Sequence, residues 1–179
     1  MPNIKVVVDS REPKKIADLI YQVVGEKYSA PREPLQWGDV SIGSGWVLIE
    51  RKTVNDLLNT LSETREDGRN RLWAQIDGIA KSSPNPILLV EGQWSVSPRG
   101  RIVIGRRTTG WAVTSMQRTI HEVQERYKVK FLWTPNHQGT ALTVKALLDW
   151  SAKLEGQEEV NMKIPHSWDG IGIGALAPD

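Results

Sequence analysis

The sequence predicts an α/β protein. Two apolar runs, Ile4 to Val8 (interrupted only by Lys5) and Ile87 to Val90, have the aliphatic, largely β-branched character of buried strands. Between them, period-2 alternation broken at Gly43-Ser44-Gly45 marks a β-hairpin. Segments with apolar residues at helical spacing separate these strands and recur to position 154.

At 179 residues the chain fits one compact domain, expected over residues 1–155, with a tail at 156–179. The absence of cysteine excludes disulfide frameworks and thiolate zinc sites. Lys and Arg number 23 against 21 acidic residues, a net charge of +2, so nucleic acid could be held only through local basic patches. No apolar run approaches about 18 residues, and the start lacks a basic-then-apolar leader. The expectation is a soluble intracellular protein, not secreted and with no membrane partner. Eight tryptophans against one phenylalanine suggest core or interface residues, with one or two free to stack on bases.

The first strand, expected to be central, ends in Asp9-Ser10-Arg11-Glu12. Open α/β sheets place ligands at such carboxyl ends, although Asp9 alone reads equally as a turn residue. Pro13 then opens a helix with Ile16, Leu19, Ile20 and Val23 on one face, stopped by Gly25. Residues 28–34 are irregular or a short strand. In the hairpin, a two-residue loop at Ser44-Gly45 sets Val40 against Ile49 and Ile42 against Val47, an apolar face. The same register sets Asp39 against Glu50. Cross-strand β-carbons lie about 4.5–5.5 Å apart, so two like charges there repel. They are, however, well placed to share one divalent cation. Alternation returns Lys52 to the face of Glu50. An aspartate beside Glu-x-Lys is the minimal set for metal-assisted phosphodiester hydrolysis, in which acids hold the ion and the lysine orients water or offsets charge. Glu-x-Lys by itself is common on solvated strands, and the opposed aspartate is what favours chemistry.

Thr53 has the character of a helix N-cap, followed by Val54, Leu57, Leu58 and Leu61 on one face. Asp56 reads equally as a favourable acid near a helix N-terminus or as a group fixing the lysine. Residues 62–70 form an expected mobile loop, and 71–81 a helix with Leu72, Ile76 and Ile79 apolar. Arg69, Arg71 and Gln75 line its other face, either solvated or in contact with phosphates. Residues 95–107 make an expected basic loop carrying Arg99, Arg101, Arg106 and Arg107, either a soluble hairpin tip or a sequence-independent backbone contact. A helix at 111–127, a strand at 129–133 and a helix at 140–154 follow, apolar enough to pack on the sheet or to form a dimer surface. Gly170-Ile171-Gly172 is like a helix-hairpin-helix turn, but Pro178 follows closely, so an ordinary tail is the preferred reading.

Taken together, VVVDSRE, GDV, IERKTVND, RLWAQ and ILLVEG resemble the XPF-type nuclease domain of structure-specific DNA endonucleases, over roughly residues 4–155. The resemblance implies a restriction-endonuclease-like core, a mixed sheet with helices on both sides. It implies that Asp39 and Glu50 bind Mg²⁺ or Mn²⁺, with Asp9 and Glu12 adding carboxylates, and that Lys52 is the catalytic lysine. Arg51 and Asp56 would complete the motif as a phosphate or structural contact and its support. Arg11 joins the candidate DNA contacts. In the family the late helices and strand make a dimer, which implies a homodimer through residues 111–154. The family's double helix-hairpin-helix domain is expected to be absent here or reduced to a vestige in the tail. The expected function is metal-dependent cleavage of branched DNA; the alternative is a non-catalytic DNA-binding partner subunit, disfavoured because every acid and the lysine are present. A nucleotide-binding reading fails for want of any P-loop or paired-glycine fingerprint.

Overall fold

The computed structural model describes residues 4–62 and 70–155. In chain order the first half comprises β1 (Val6–Val8), α1 (Lys14–Val24), β2 (Val40–Ile42), β3 (Val47–Thr53), α2 (Val54–Ser62) and α3 (Arg71–Ser82). The second half comprises β4 (Asn85–Glu91), β5 (Ser95–Val96), β6 (Arg101–Ile104), β7 (Arg107–Ala112), α4 (Val113–Tyr127), β8 (Lys130–Thr134) and α5 (His137–Glu155). Arg69 and the tail, with its Gly170-Ile171-Gly172, lie outside the described residues. Among the described residues no helix is long and apolar enough to cross a membrane.

A mixed five-stranded sheet runs in the order β1-β2-β3-β4-β8. The hairpin makes β1-β2-β3 antiparallel, and crossovers through helices make β3-β4-β8 parallel. The expected hairpin register is present, Val40 against Ile49 and Ile42 against Val47. Its tight turn closes with the Trp46 amide donating to the Gly43 carbonyl at 3.1 Å. Ser44 and Gly45 at its centre both have positive φ, 54° and 92°, as a two-residue turn matched to strand twist requires.

β1 is an edge strand, not the central one its apolar run suggested. Val6 and Val8 are nevertheless fully buried. Residues 29–33 run along the outer edge, where the Ala30 amide donates to the Val6 carbonyl at 3.0 Å and the Ser10 amide to the Glu33 carbonyl at 3.1 Å. A covered edge buries a strand as well as a central position does.

Helices cover both faces. On one, Ile16 and Ile20 of α1 and Ala141, Val144 and Leu148 of α5 pack on Val6, Ile42, Ile49 and Leu89. On the other, Leu57 of α2, Leu72, Ile76 and Ile79 of α3 and Val123 of α4 pack on Leu48, Leu88 and Val90. Each fully buried Leu or Ile contributes about 1.5–3 kcal/mol before chain entropy is counted. One contact in the second layer bears directly on the site. A β-carbon added at Gly78 of α3 would stand 2.2 Å from the Trp37 ring, so only glycine lets that indole lie flat on the helix. Trp37 is thereby anchored immediately before Gly38-Asp39.

Residues 95–107 are not a loop. They enter a three-stranded meander, β5-β6-β7, seated on the second layer through the buried Ile102. The expected helix at 111 therefore starts at Val113, because Trp111 and Ala112 finish β7. α5 starts earlier than its apolar spacing suggested. Asn136 accepts the Gly139 amide at 2.9 Å and caps the helix ahead of Thr140.

Candidate active site

Three separate pieces of chain bring acids to the end of the hairpin. The first is the turn after β1. Arg32 holds it by donating to the main-chain carbonyls of Asp9 and Ser10, each at 3.0 Å, and of Glu12. The second is Gly38-Asp39. Gly38 has φ 78°, and a β-carbon there would stand 3.1 Å from the Ile49 carbonyl oxygen, so glycine is what permits the close approach. The third is β3, whose alternation sends Glu50 and Lys52 to one face and Arg51 to the other.

Asp39 does not sit in the regular ladder opposite Glu50. The ladder stops at Val40, and the Asp39 amide donates to the Ile49 carbonyl at 2.7 Å, one residue short of the straight register. Its carboxylate Oδ2 accepts the Arg51 amide at 2.7 Å. Asp39 and Glu50 nevertheless line one cleft of about 280 Å³ with Glu12, Lys52, Asn59 and Gln75. Burial pushes the Asp39 carboxyl up to about 8, helped by the charges of Glu50 and Glu12. Glu12 is raised as well, by burial first, against the attraction of Arg51.

Lys52 and Glu50, both nearly buried, form an ion pair of 2.9 Å. The same Glu50 oxygen, Oε1, also accepts Gln75 Nε2 at 2.7 Å. Gln75, expected on a DNA-facing helix surface, is thus part of the cleft wall. Arg71 lines the cleft beside it.

Arg51 leaves β3 on the other side from Lys52 but still lines the cleft, nearly buried, its Nε 3.2 Å from Glu12 and 3.9 Å from Glu91. Lys52 pairs with Glu50 and not with Asp56, which lines the same cleft. Its carboxylate accepts the Thr53 hydroxyl at 2.6 Å while its amide donates back to that hydroxyl at 3.1 Å, so the pair caps α2.

Asp9 stands outside the cleft lining. Its carboxylate accepts the amide and Nε of Arg11 at 2.6 and 2.9 Å, Arg11 Nη2 at 2.6 Å and the Leu35 amide at 2.8 Å. Those donors fill the acceptor positions of one carboxylate. The Arg11 guanidinium is the largest influence holding its carboxyl down at about 2. Arg11 is exposed but tied to Asp9 and to the Leu35 carbonyl, 2.7 Å away. Arg99 and Arg106 are exposed at turns of the meander, Arg101 donates to the Gly110 carbonyl, and Arg107 reaches Asn55.

Sequence reasoning missed a buried polar group behind the site. Glu91, at the carboxyl end of β4, meets His137 Nδ1 at 2.5 Å and the Thr140 hydroxyl at 2.6 Å. The clue was an acid ending an apolar run, the same signal that singled out Asp9. Nothing in the sequence ties His137 to it.

Among the described residues no three His, Cys, Asp or Glu side chains converge as a ready-made metal cage. The donors still fit a hard cation. They are all carboxylate oxygens, and burial first, then the charges of Glu50 and Glu12, make Asp39 prefer its proton until positive charge is added. Mg²⁺ is commonly held by one or two carboxylates, with waters and substrate phosphates completing its shell.

A mixed sheet, helices on both faces and an acid–lysine cleft at the end of a hairpin define the restriction-endonuclease-like class of α/β fold. The ERCC4 domain model matches residues 8–147, and the chain belongs to that family, the XPF-type structure-specific nucleases. Among solved structures it is similar to XPF from Aeropyrum pernix, with 24% identity and a TM-score of 0.63 over 86% of this chain and 67% of that one. It is also similar to XPF from Aeropyrum pernix in complex with DNA, with 26% identity and a TM-score of 0.61 over 84% of this chain and 66% of that one. The chain thus spans about two thirds of the length of those chains. A comparison with curated proteins finds no match.

Proposed function

We propose that the protein is a Mg²⁺- or Mn²⁺-dependent endonuclease that hydrolyses a phosphodiester bond in branched DNA. The observation that carries this reading is one cleft that gathers Asp39, Glu50 and Glu12 with Lys52, Arg51 and Arg71, where burial first and the neighbouring carboxylates second keep Asp39 protonated near neutrality. Asp39 and Glu50 would hold the ion, with Glu12 at its margin. The bound metal would polarise the phosphate and acidify the attacking water. Lys52 donates toward the negative charge that develops on the phosphate, and its pairing with Glu50 fixes where that ammonium points. The water oxygen bonds to phosphorus, the bond to the 3′ oxygen breaks and that oxygen takes a proton, leaving 5′-phosphate and 3′-hydroxyl ends.

The test is cleavage of a panel of flaps, forks and four-way junctions with Mg²⁺, with Mn²⁺ and with chelator. Binding to branched DNA with no cutting under either metal would replace this reading with that of a partner subunit. The pairing of Asp9 with Arg11 supports a role for Asp9 in shaping the turn that presents Glu12, so we leave it out of the metal set.

DNA would cross the cleft and reach the meander, where Arg99 and Arg106 present their guanidinium groups to solvent. Replacing both by alanine is expected to weaken binding to all sequences alike. It should also flatten the plot of log affinity against log salt by about 0.9 for each duplex phosphate that is no longer neutralised. An unchanged slope in a fluorescence-anisotropy salt titration would return these residues to ordinary surface.

The homodimer through residues 111–154 is supported by an apolar groove of about 440 Å³ lined in part by Trp94, Ile120, Phe131 and Trp133. Trp133 is 48% exposed, which is costly for so large an apolar ring in a monomer. Sedimentation equilibrium should show a dimer that Trp133→Glu dissociates; a wild type that stays monomeric at tens of micromolar (roughly 1 mM affinity or weaker) would sink it.

A further inference from the structure

We infer that a second cleft, walled by α2 and β7, takes a single unpaired nucleotide of the DNA strand close to the scissile phosphate, an inference that rests on the nuclease reading above. The cleft measures about 270 Å³ and adjoins the catalytic one, since Asn59 lines both. On α2, Asn55 and Asn59 are a helical turn apart and share one exposed face. Asp56, between them in sequence, lines the catalytic cleft instead. Opposite stands β7, which carries extra residues where its pairing with β6 slips: Arg101 pairs with Ala112, but Val103 already pairs with Thr108. Such an irregularity turns side chains off the regular alternation. Trp111 lies within it, packing on the second layer and lining the cleft.

This lining differs in charge from that of the catalytic cleft. Among the described residues no acid borders it. The exposed Arg107 donates from Nη2 to Asn55 Oδ1 at 2.5 Å, a neutral partner, whereas exposed cations such as Lys81 and Arg126 are paired with acids on their own helices. Its charge is therefore uncompensated, and its other N–H groups have no partner among the described residues. A guanidinium matches a phosphate, carboxamides offer both donors and an acceptor to a base edge, and an indole gives a surface on which any base stacks. Unpaired nucleotides are held by just such a set. A base within a duplex is covered by its neighbours and cannot enter; a base turned out of the stack can. Turning it out costs least at a junction, where the partner strand has already left. The cleft thus gives branched DNA a physical advantage over plain duplex.

The experiment takes the branched DNA that wild type cuts best with Mg²⁺ or Mn²⁺ and measures affinity by fluorescence anisotropy with Ca²⁺ in their place. The base is removed from one nucleotide at a time around the cut, for wild type, Trp111→Phe and Trp111→Ala. At one position the missing base is expected to weaken wild type and Trp111→Phe about tenfold and Trp111→Ala less than about twofold, as a base and a ring that act on each other require. Asn55→Ala combined with Arg107→Ala should weaken binding to the branched DNA about tenfold and leave plain duplex within about twofold. That double variant, altered only at exposed positions, decides the matter alone if Trp111→Ala fails to fold. A wild type that cuts but shows no such position overturns this inference alone. So does a double variant that loses branched and duplex binding equally, because Arg107 would then be an ordinary backbone contact. A wild type that cuts with neither metal overturns the nuclease reading and this inference with it.

Discussion

Asp39→Asn is expected to abolish cleavage and, at the same time, to make the metal-free protein more stable at pH 8. Asparagine keeps an oxygen that can accept the Arg51 amide and removes the charge that Glu50 and Glu12 oppose. The sign follows from the raised carboxyl. Its folded-state value, about 8, lies above the ordinary 3.8, so between those two values the folded protein holds a proton that the unfolded chain has released. Stability therefore falls as pH rises through that window, by up to about 1.4 kcal/mol per pH unit for one such proton. Glu12, raised too, adds to the fall in the same direction. Urea denaturation in chelator should show this slope in wild type and a flatter one in Asp39→Asn, with the variant ahead by roughly 2–4 kcal/mol at pH 8. Mg²⁺ should stabilise wild type most at the high-pH end, where its carboxylates are most ready to ionise, and should stabilise the variant little. Cleavage should drop by roughly three orders of magnitude or more. Parallel pH profiles for the two proteins would show that the acids are not crowded as described.

Lys52→Ala is expected to remove cleavage for a different reason and with the opposite effect on folding. The effect on folding comes from where Lys52 sits. In the fold it is nearly buried, and its 2.9 Å ion pair is the charged partner of Glu50. Removing one partner of such a pair leaves a charge in the interior and costs roughly 3–5 kcal/mol. Gln75 still donates to Glu50, which sets the expectation at the lower end of that range. The double variant Lys52→Ala with Glu50→Gln should recover much of the loss, since both charges are then gone, while remaining inactive. A single variant as stable as wild type in urea would show that Lys52 is solvated and free of Glu50. Asp39→Asn is accordingly the cleaner inactive protein for DNA-binding work.

The two variants mark how far the chain can be read without coordinates. The hairpin was legible because a two-residue turn and period-2 alternation are local properties, and Ser44-Gly45 has the backbone freedom the turn needs. Helices α1, α2 and α3 were legible for the same reason, through apolar spacing, Pro13, Thr53 and Gly25. In the basic segment, arginine and glycine mark polar surface but do not say whether neighbouring strands pair, and β5-β6-β7 do. The edge position of β1 was hidden because residues 29–33 cover it, a relation between segments far apart in sequence.

The sequence by itself determined the α/β class, the hairpin register and the alternation that sends Glu50 and Lys52 to one side of a strand and Arg51 to the other. Those follow from periodicity and turn chemistry, which act over a few residues. Only the tertiary structure decided that Asp39 leaves the ladder at Gly38, that Asp9 is consumed by Arg11, that Asp56 caps a helix, and that Gln75 joins the cleft wall. A carboxylate's role depends on which donors and which charges reach it, and those arrive from strands, turns and helices that the chain brings together only on folding.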